Sequence, residues 1–140
     1  MSSKIKDYIY RPEYETLSRS EMENLQSERL KKTVARVYEN CAPYRAKMDE
    51  LKLKPSDIKS VADLSKLPFT VKHDLRSNYP FGFYSSPKSD IVEVHASSGT
   101  TGKLTVVGYT KNDLEVWGEI VARGMAMAGV TKESTVHVSY

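Results

Sequence analysis

Apolar residues recur at helical spacing through the first half of the chain and change to alternation near residue 91. Leu25, Leu30, Val34, Val37, Tyr38 and Cys41 fall on one stripe, with Glu28, Lys31, Lys32, Arg36 and Glu39 among them. Ser20-Glu21-Met22-Glu23 has the form of a capping box, so a helix capped by Ser20 is expected to run to about Asn40. Ala42-Pro43 breaks it, and Pro43 suits the first turn of a shorter helix towards Leu51. Lys54 to Asp57 reads as a turn. Ser60 and Asp63 then bracket a helical piece around Val61 to Lys66. Thr70 is placed as the cap of a further helix, with Asp74 near its N-terminal dipole, ending before Tyr79-Pro80. The aromatic run Pro80 to Tyr84 reads as a strap on the core in preference to a ligand contact. Met1 to Glu15 reads as an extended arm lying on the body of the protein.

In the second half, Ile91-Val92-Glu93-Val94 alternates as a strand does, and Thr105-Val106-Val107 is β-branched. Thr110 and Asp113 form a capping signal for a helix from about Lys111 to Ala128. Its apolar stripe is Leu114, Trp117, Ile120, Val121, Met125 and Ala128, and Gly129 closes it. Gly118 and Gly124 weaken this helix and suggest close packing against a neighbour. Ser134 to Tyr140 reads as the start of a buried strand. The fold class is α/β: a helical N-terminal half (1–90), then strand, loop, strand, helix, strand (91–140).

Composition narrows the function classes. Net charge is +3, and no stripe of Lys and Arg interleaved with aromatics appears, which argues against nucleic acid. No apolar run is long enough to span a bilayer and the N-terminus lacks a signal-peptide core, so a cytoplasmic location is expected. Cys41 is the single cysteine and is read as a small core hydrophobe. His73 and His137 have no metal-ligand spacing. His95 adjoins the loop between the two strands and is read as structural in preference to carrying a proton.

The candidate chemistry lies between the two strands. Ser97-Ser98-Gly99-Thr100-Thr101-Gly102-Lys103 contains no apolar side chain. Glycines let backbone amides converge on phosphate oxygens, the four hydroxyls add hydrogen bonds, and Lys103 adds a compact charge. The loop is not a Walker A sequence: two residues separate its glycines, and Leu104 follows the lysine. Loop chemistry alone leaves two readings, a polyphosphate site and an ordinary connector.

The loop resembles the phosphate loop of the adenylate-forming enzymes. The longer phrase His95 to Thr110, together with Leu67 to Gly82 and Leu25 to Tyr44, is similar to the phenylacetate-coenzyme A ligase family. Leu104 departs from that family's usual proline, which loosens the loop's exit and removes no phosphate ligand. The resemblance implies ATP, Mg2+ and coenzyme A as cofactors and phenylacetate or a related aromatic acid as substrate. It assigns nucleotide phosphates to Ser97, Ser98, Gly99, Thr100, Thr101, Gly102 and Lys103. It also places Tyr140 as a substrate contact, at the start of the stretch that helps form the aryl pocket. No membrane or nucleic-acid partner is implied, and the complete enzyme is a candidate homodimer. On this reading the chain is an N-terminal portion of a larger ligase, part of one incomplete AMP-binding domain and inactive alone. The alternative is a non-catalytic remnant that binds phosphate or a ligase subunit.

Overall fold

The computed structural model describes residues 8–97 and 104–139. They form helices α1 (Pro12–Glu15), α2 (Arg19–Asn40), α3 (Ala42–Glu50), α4 (Lys72–Ser77) and α5 (Lys111–Met127). The strands are β1 (Ile91–Ala96) and β2 (Val106–Thr110), and 3-10 turns cover Pro55–Asp57, Val61–Lys66 and Lys88–Asp90. The chain divides into two compact units. One is Arg19–Lys111, and the other joins the residues up to Ser18 with those from Asn112.

In the Arg19–Lys111 unit the apolar stripe of α2 does what its period requires. Val34, Met48 and Ile58 are buried together, with Leu30, Tyr38, Tyr44, Leu53 and Leu67 packed around them. Burial of this apolar surface drives the packing of α2 on α3. Cys41, 1% exposed, links the two helices, and its thiol faces the Gly82 carbonyl at 3.8 Å. That is the core position expected for it. Pro43 sits in the first turn of α3 as its missing amide permits.

Both α3 and α5 end in the same hydrogen-bonded turn, with different residues at its left-handed position. After α3, Leu53 N–H donates to Met48 C=O and Lys52 N–H to Asp49 C=O, both at 2.9 Å, with Lys52 at φ 55. After α5, Val130 N–H donates to Met125 C=O and Gly129 N–H to Ala126 C=O, with Gly129 at φ 88. Glycine takes this conformation freely, whereas lysine is held there by Leu53 anchoring in the core.

Two caps differ from the sequence expectation. Helix α2 begins at Arg19, so Ser20 lies inside its first turn, and the Glu23 carboxylate accepts from Arg19 Nε at 2.7 Å. Helix α4 is entered from Val71, not Thr70. The Val71 amide donates to Asp74 Oδ2 at 2.8 Å, so the carboxylate satisfies the helix end without a side-chain cap. The Ser60 and Asp63 brackets are as expected: Ser60 Oγ accepts from Ala62 N–H, and Asp63 Oδ2 accepts from Lys59 and Ser60 N–H.

Asp63 also pairs with Lys66 at 2.7 Å. That bond, with the two backbone donors, holds its pKa down to about 2 from 3.8. The folded state therefore binds this proton more weakly than the unfolded chain does. Asp63 contributes its full stability above about pH 4, and the contribution disappears as pH falls through about 2. Urea midpoints measured from pH 5 to pH 2 should fall less steeply in Asp63→Asn than in the natural chain; equal slopes would refute this assignment.

The second unit corrects three expectations. Within the arm, residues 12–15 are a single helical turn, opened by Pro12 and closed by Thr16 Oγ1 donating to the Pro12 carbonyl at 2.7 Å. The arm is held on the polar side of α5 by Arg11 to Glu119 at 2.9 Å and Glu15 to Arg123 at 3.3 Å. On α5 no residue is buried, Ile120 is 58% exposed, and a Cβ built at Gly118 or Gly124 meets nothing within 4 Å. The close neighbour expected at those glycines is thus absent among the described residues. Residues 134–139 form no strand, and Val138 is 78% exposed. Alternation makes a strand only where a ladder partner exists, and none pairs with this segment among the described residues.

Candidate functional site

Strands β1 and β2 form an antiparallel pair that carries the two ends of the glycine loop. The register sets Ala96 opposite Val106, His95 opposite Val107, Val94 opposite Gly108 and Glu93 opposite Tyr109. The register shifts between Ile91 and Glu93, so Val92 is the extra residue of a bulge. Beyond Ala96 the ladder closes with Ser97: its amide donates to the Thr105 carbonyl at 3.0 Å, and the Thr105 amide donates to Ser97 Oγ at 3.1 Å. The hydroxyl of Thr105 is buried without a hydrogen-bond partner among the described residues.

Glu93 and His95, two apart on one strand, project to one face, and the Glu93 carboxylate meets His95 Nε2. The His95 ring also stands edge-on to Tyr109, with centroids 5.1 Å apart. Strand geometry and these contacts orient the ring. Glu93 as its partner was missed, although the i, i+2 spacing within an alternating run carries that signal.

On the opposite face the strap from Pro80 packs onto β2. A Cβ built on Gly108 would fall 2.6 Å from Cζ and OH of Tyr84, so the ring occupies the space a side chain would need. Burial pushes the Tyr84 phenol up, and its hydroxyl has no hydrogen-bond partner among the described residues. Phe81 tilts against Tyr84 at 5.2 Å, and Lys88 lies over the Phe81 ring at 4.4 Å. The strap is thus part of the hairpin's support, as read from sequence. Gly108→Ala should displace Tyr84 and lower stability by about 1–3 kcal/mol, seen as a reduced urea midpoint and loss of the ring's protected environment in tyrosine NMR signals. An unchanged midpoint would show that the ring does not rest there.

Of the sequence-derived phosphate ligands, Ser97 is described, and Ser98, Gly99, Thr100, Thr101, Gly102 and Lys103 lie outside the described residues. Tyr140, the substrate contact, lies outside them as well. His73 and His137 are exposed, and His73 meets Ser77 on its own helix. Among the described residues no group of three His, Cys, Asp or Glu side chains is placed to hold a metal ion, and no helix is long and apolar enough to cross a membrane.

No protein-family model matches the chain. Curated phenylacetate-coenzyme A ligases do. The Thermus thermophilus protein is 51% identical over 132 residues, covering 94% of this chain and 30% of its own length. The Escherichia coli protein is 48% identical over 126 residues, covering 90% and 29%. Among solved structures, 2-hydroxyisobutyryl-CoA ligase in the postadenylation state in complex with 2-HIB-AMP matches with a TM-score of 0.77 at 30% identity, over 88% of this chain and 26% of that one. The same ligase in complex with 2-HIB-AMP and CoA in the thioesterification state gives 0.78 at 31% identity, over 86% and 27%. The helices and antiparallel hairpin are therefore part of the α/β fold of these ligases. The chain spans about 30% of the length of the curated relatives it matches. Matched over nine-tenths of its residues at about half identity, the chain belongs with the phenylacetate-coenzyme A ligases, to one part of which it corresponds.

Proposed function

We propose that this chain contributes the nucleotide-phosphate loop of an AMP-forming phenylacetate-coenzyme A ligase. The observation that carries the reading is its 51% identity over 132 residues to a ligase of that name. In the reaction, a carboxylate oxygen of phenylacetate attacks the α-phosphorus of ATP and the bond to the β-phosphate breaks, releasing pyrophosphate. The thiol of coenzyme A then attacks the acyl carbon and AMP leaves. Phenylacetate, or a related aromatic acid, is the substrate class we assign. A cytoplasmic, aromatic-degrading, homodimeric ligase is the setting we propose for it.

The loop's part is to hold the departing pyrophosphate. Hydroxyl and amide groups of Ser98, Thr100 and Thr101 donate to β- and γ-phosphate oxygens, Gly99 and Gly102 allow the approach, and Lys103 offsets the developing charge. A hairpin suits this task, because two paired strands fix both ends of the loop. Mg2+ arrives on the ATP phosphates in this reading. The described residues offer no cluster of their own for it, and no step is derived through it.

Pyrophosphate binding by the 140-residue chain tests the loop, and ATP–pyrophosphate exchange with phenylacetate tests the activity. The expected result is saturable pyrophosphate binding without exchange. Sustained exchange would overturn the proposal that the chain is inactive alone, and absence of binding would leave the loop as a connector.

A further inference from the structure

Ser97 stands where the loop begins, and the role assigned to it rests on the phosphate reading of that loop. In an antiparallel ladder, opposed residues of a hydrogen-bonded pair exchange both bonds, amide to carbonyl in each direction. Ser97 and Thr105 continue the β1–β2 register from Ala96 and Val106, and the first bond is regular: Ser97 N–H to Thr105 C=O, 3.0 Å. The return bond is not. The Thr105 amide donates to the Ser97 hydroxyl oxygen at 3.1 Å in place of the Ser97 carbonyl.

A side chain has therefore taken over the last rung. The Thr105 amide is satisfied, and the Ser97 backbone is released from the pairing direction at the residue where the chain must leave the sheet. Side-chain oxygens that compete with the backbone ladder in this way are how serine ends regular structure. Alanine has no such oxygen. Threonine carries the same oxygen on Cβ and suits a strand.

We propose that Ser97 is a positioning residue for the polyphosphate loop. Its hydroxyl terminates the β1–β2 ladder where the loop begins, and it is not itself a phosphate ligand. This separates Ser97 from the other six residues of the motif, to which the sequence alone assigns one common role.

The test uses the whole 140-residue chain, labelled with 15N, in three forms: natural, Ser97→Ala and Ser97→Thr. Amide exchange is followed at Thr105, with Val34 and Met48 in the buried core as reporters of global folding. Inorganic pyrophosphate is titrated into each form. Loss of one hydrogen bond should speed exchange at Thr105 by about fivefold to tenfold in Ser97→Ala and weaken pyrophosphate binding by a similar factor. The core amides should not change, and Ser97→Thr should restore both quantities.

Unchanged Thr105 exchange in Ser97→Ala would overturn the clamp. Faster exchange with unaltered pyrophosphate affinity would overturn the positioning role. Weak binding in Ser97→Thr despite a protected Thr105 amide would show that the clamp does not set the affinity, and would equally defeat the proposal. If the natural chain binds no pyrophosphate, the phosphate reading fails and the positioning role falls with it. The exchange data, which need no ligand, tell that failure apart from failure of the clamp.

Discussion

Met48→Ala should cost the Arg19–Lys111 unit about 2–5 kcal/mol, the usual range for emptying a buried large apolar position. Met48 is 0% exposed on α3 and lies between Val34 of α2 and Ile58 beyond the Pro55–Asp57 turn. These three are the buried members of the cluster, and the residues packed around them, Leu30, Tyr38, Tyr44, Leu53 and Leu67, are only partly buried. Against a typical domain stability of about 5–15 kcal/mol, a loss of that size brings the unit close to unfolding at ambient temperature. Met127→Ala is the matched control: the same atoms are removed from α5 at a residue 73% exposed, and the change should stay within about 0.5 kcal/mol. Urea unfolding followed by far-ultraviolet circular dichroism separates the two. Equal midpoints would mean that the helical cluster is not what holds this unit.

Replacing Thr100, Thr101 and Lys103 together by alanine should weaken pyrophosphate binding by at least roughly a hundredfold. A hydrogen bond to a charged group contributes about 1.5–3 kcal/mol, so losing two hydroxyls and the cation reaches that factor even with strong non-additivity. The remaining affinity should also depend less on salt, because the compact charge has gone. Lys88→Ala removes a cation of the same unit that lies on the Phe81 ring, and should leave binding unchanged. Isothermal titration at two ionic strengths reads both effects. Undiminished binding in the triple variant would place the phosphate elsewhere or make the loop a plain connector.

The helices were legible because their signals are local. The stripe from Leu30 to Cys41, Pro43 in the first turn, and the Ser60 and Asp63 brackets each act within a few residues. The misplaced caps arose where a carboxylate near the helix start takes another partner. Asp74 reaches the Val71 amide, which leaves Thr70 outside the helix, and Glu23 pairs with Arg19. Lys52 in a left-handed turn was not readable at all, since its conformation is imposed by Leu53 packing into the core.

Signals that depend on distant partners failed as well. Residues 134–139 alternate like a strand, yet a strand exists only with a neighbour to take its hydrogen bonds. The glycines of α5 suggested a close neighbour that the described residues do not supply. At the candidate site, the loop's chemistry was plain in its composition. The seat of Tyr84 on Gly108 and the Ser97–Thr105 rung were not, because both follow from strand register and three-dimensional packing.

The most direct test of the central claim is a replacement experiment. The matched stretch of the Escherichia coli phenylacetate-coenzyme A ligase, 48% identical over 126 residues, is exchanged for the corresponding residues of this chain. Phenylacetate-dependent ATP–pyrophosphate exchange is then measured on the folded hybrid. The account predicts exchange within about tenfold of the parent enzyme, a difference of about 1.4 kcal/mol in barrier. A hybrid that unfolds with the parent's cooperativity but catalyses no exchange would contradict it.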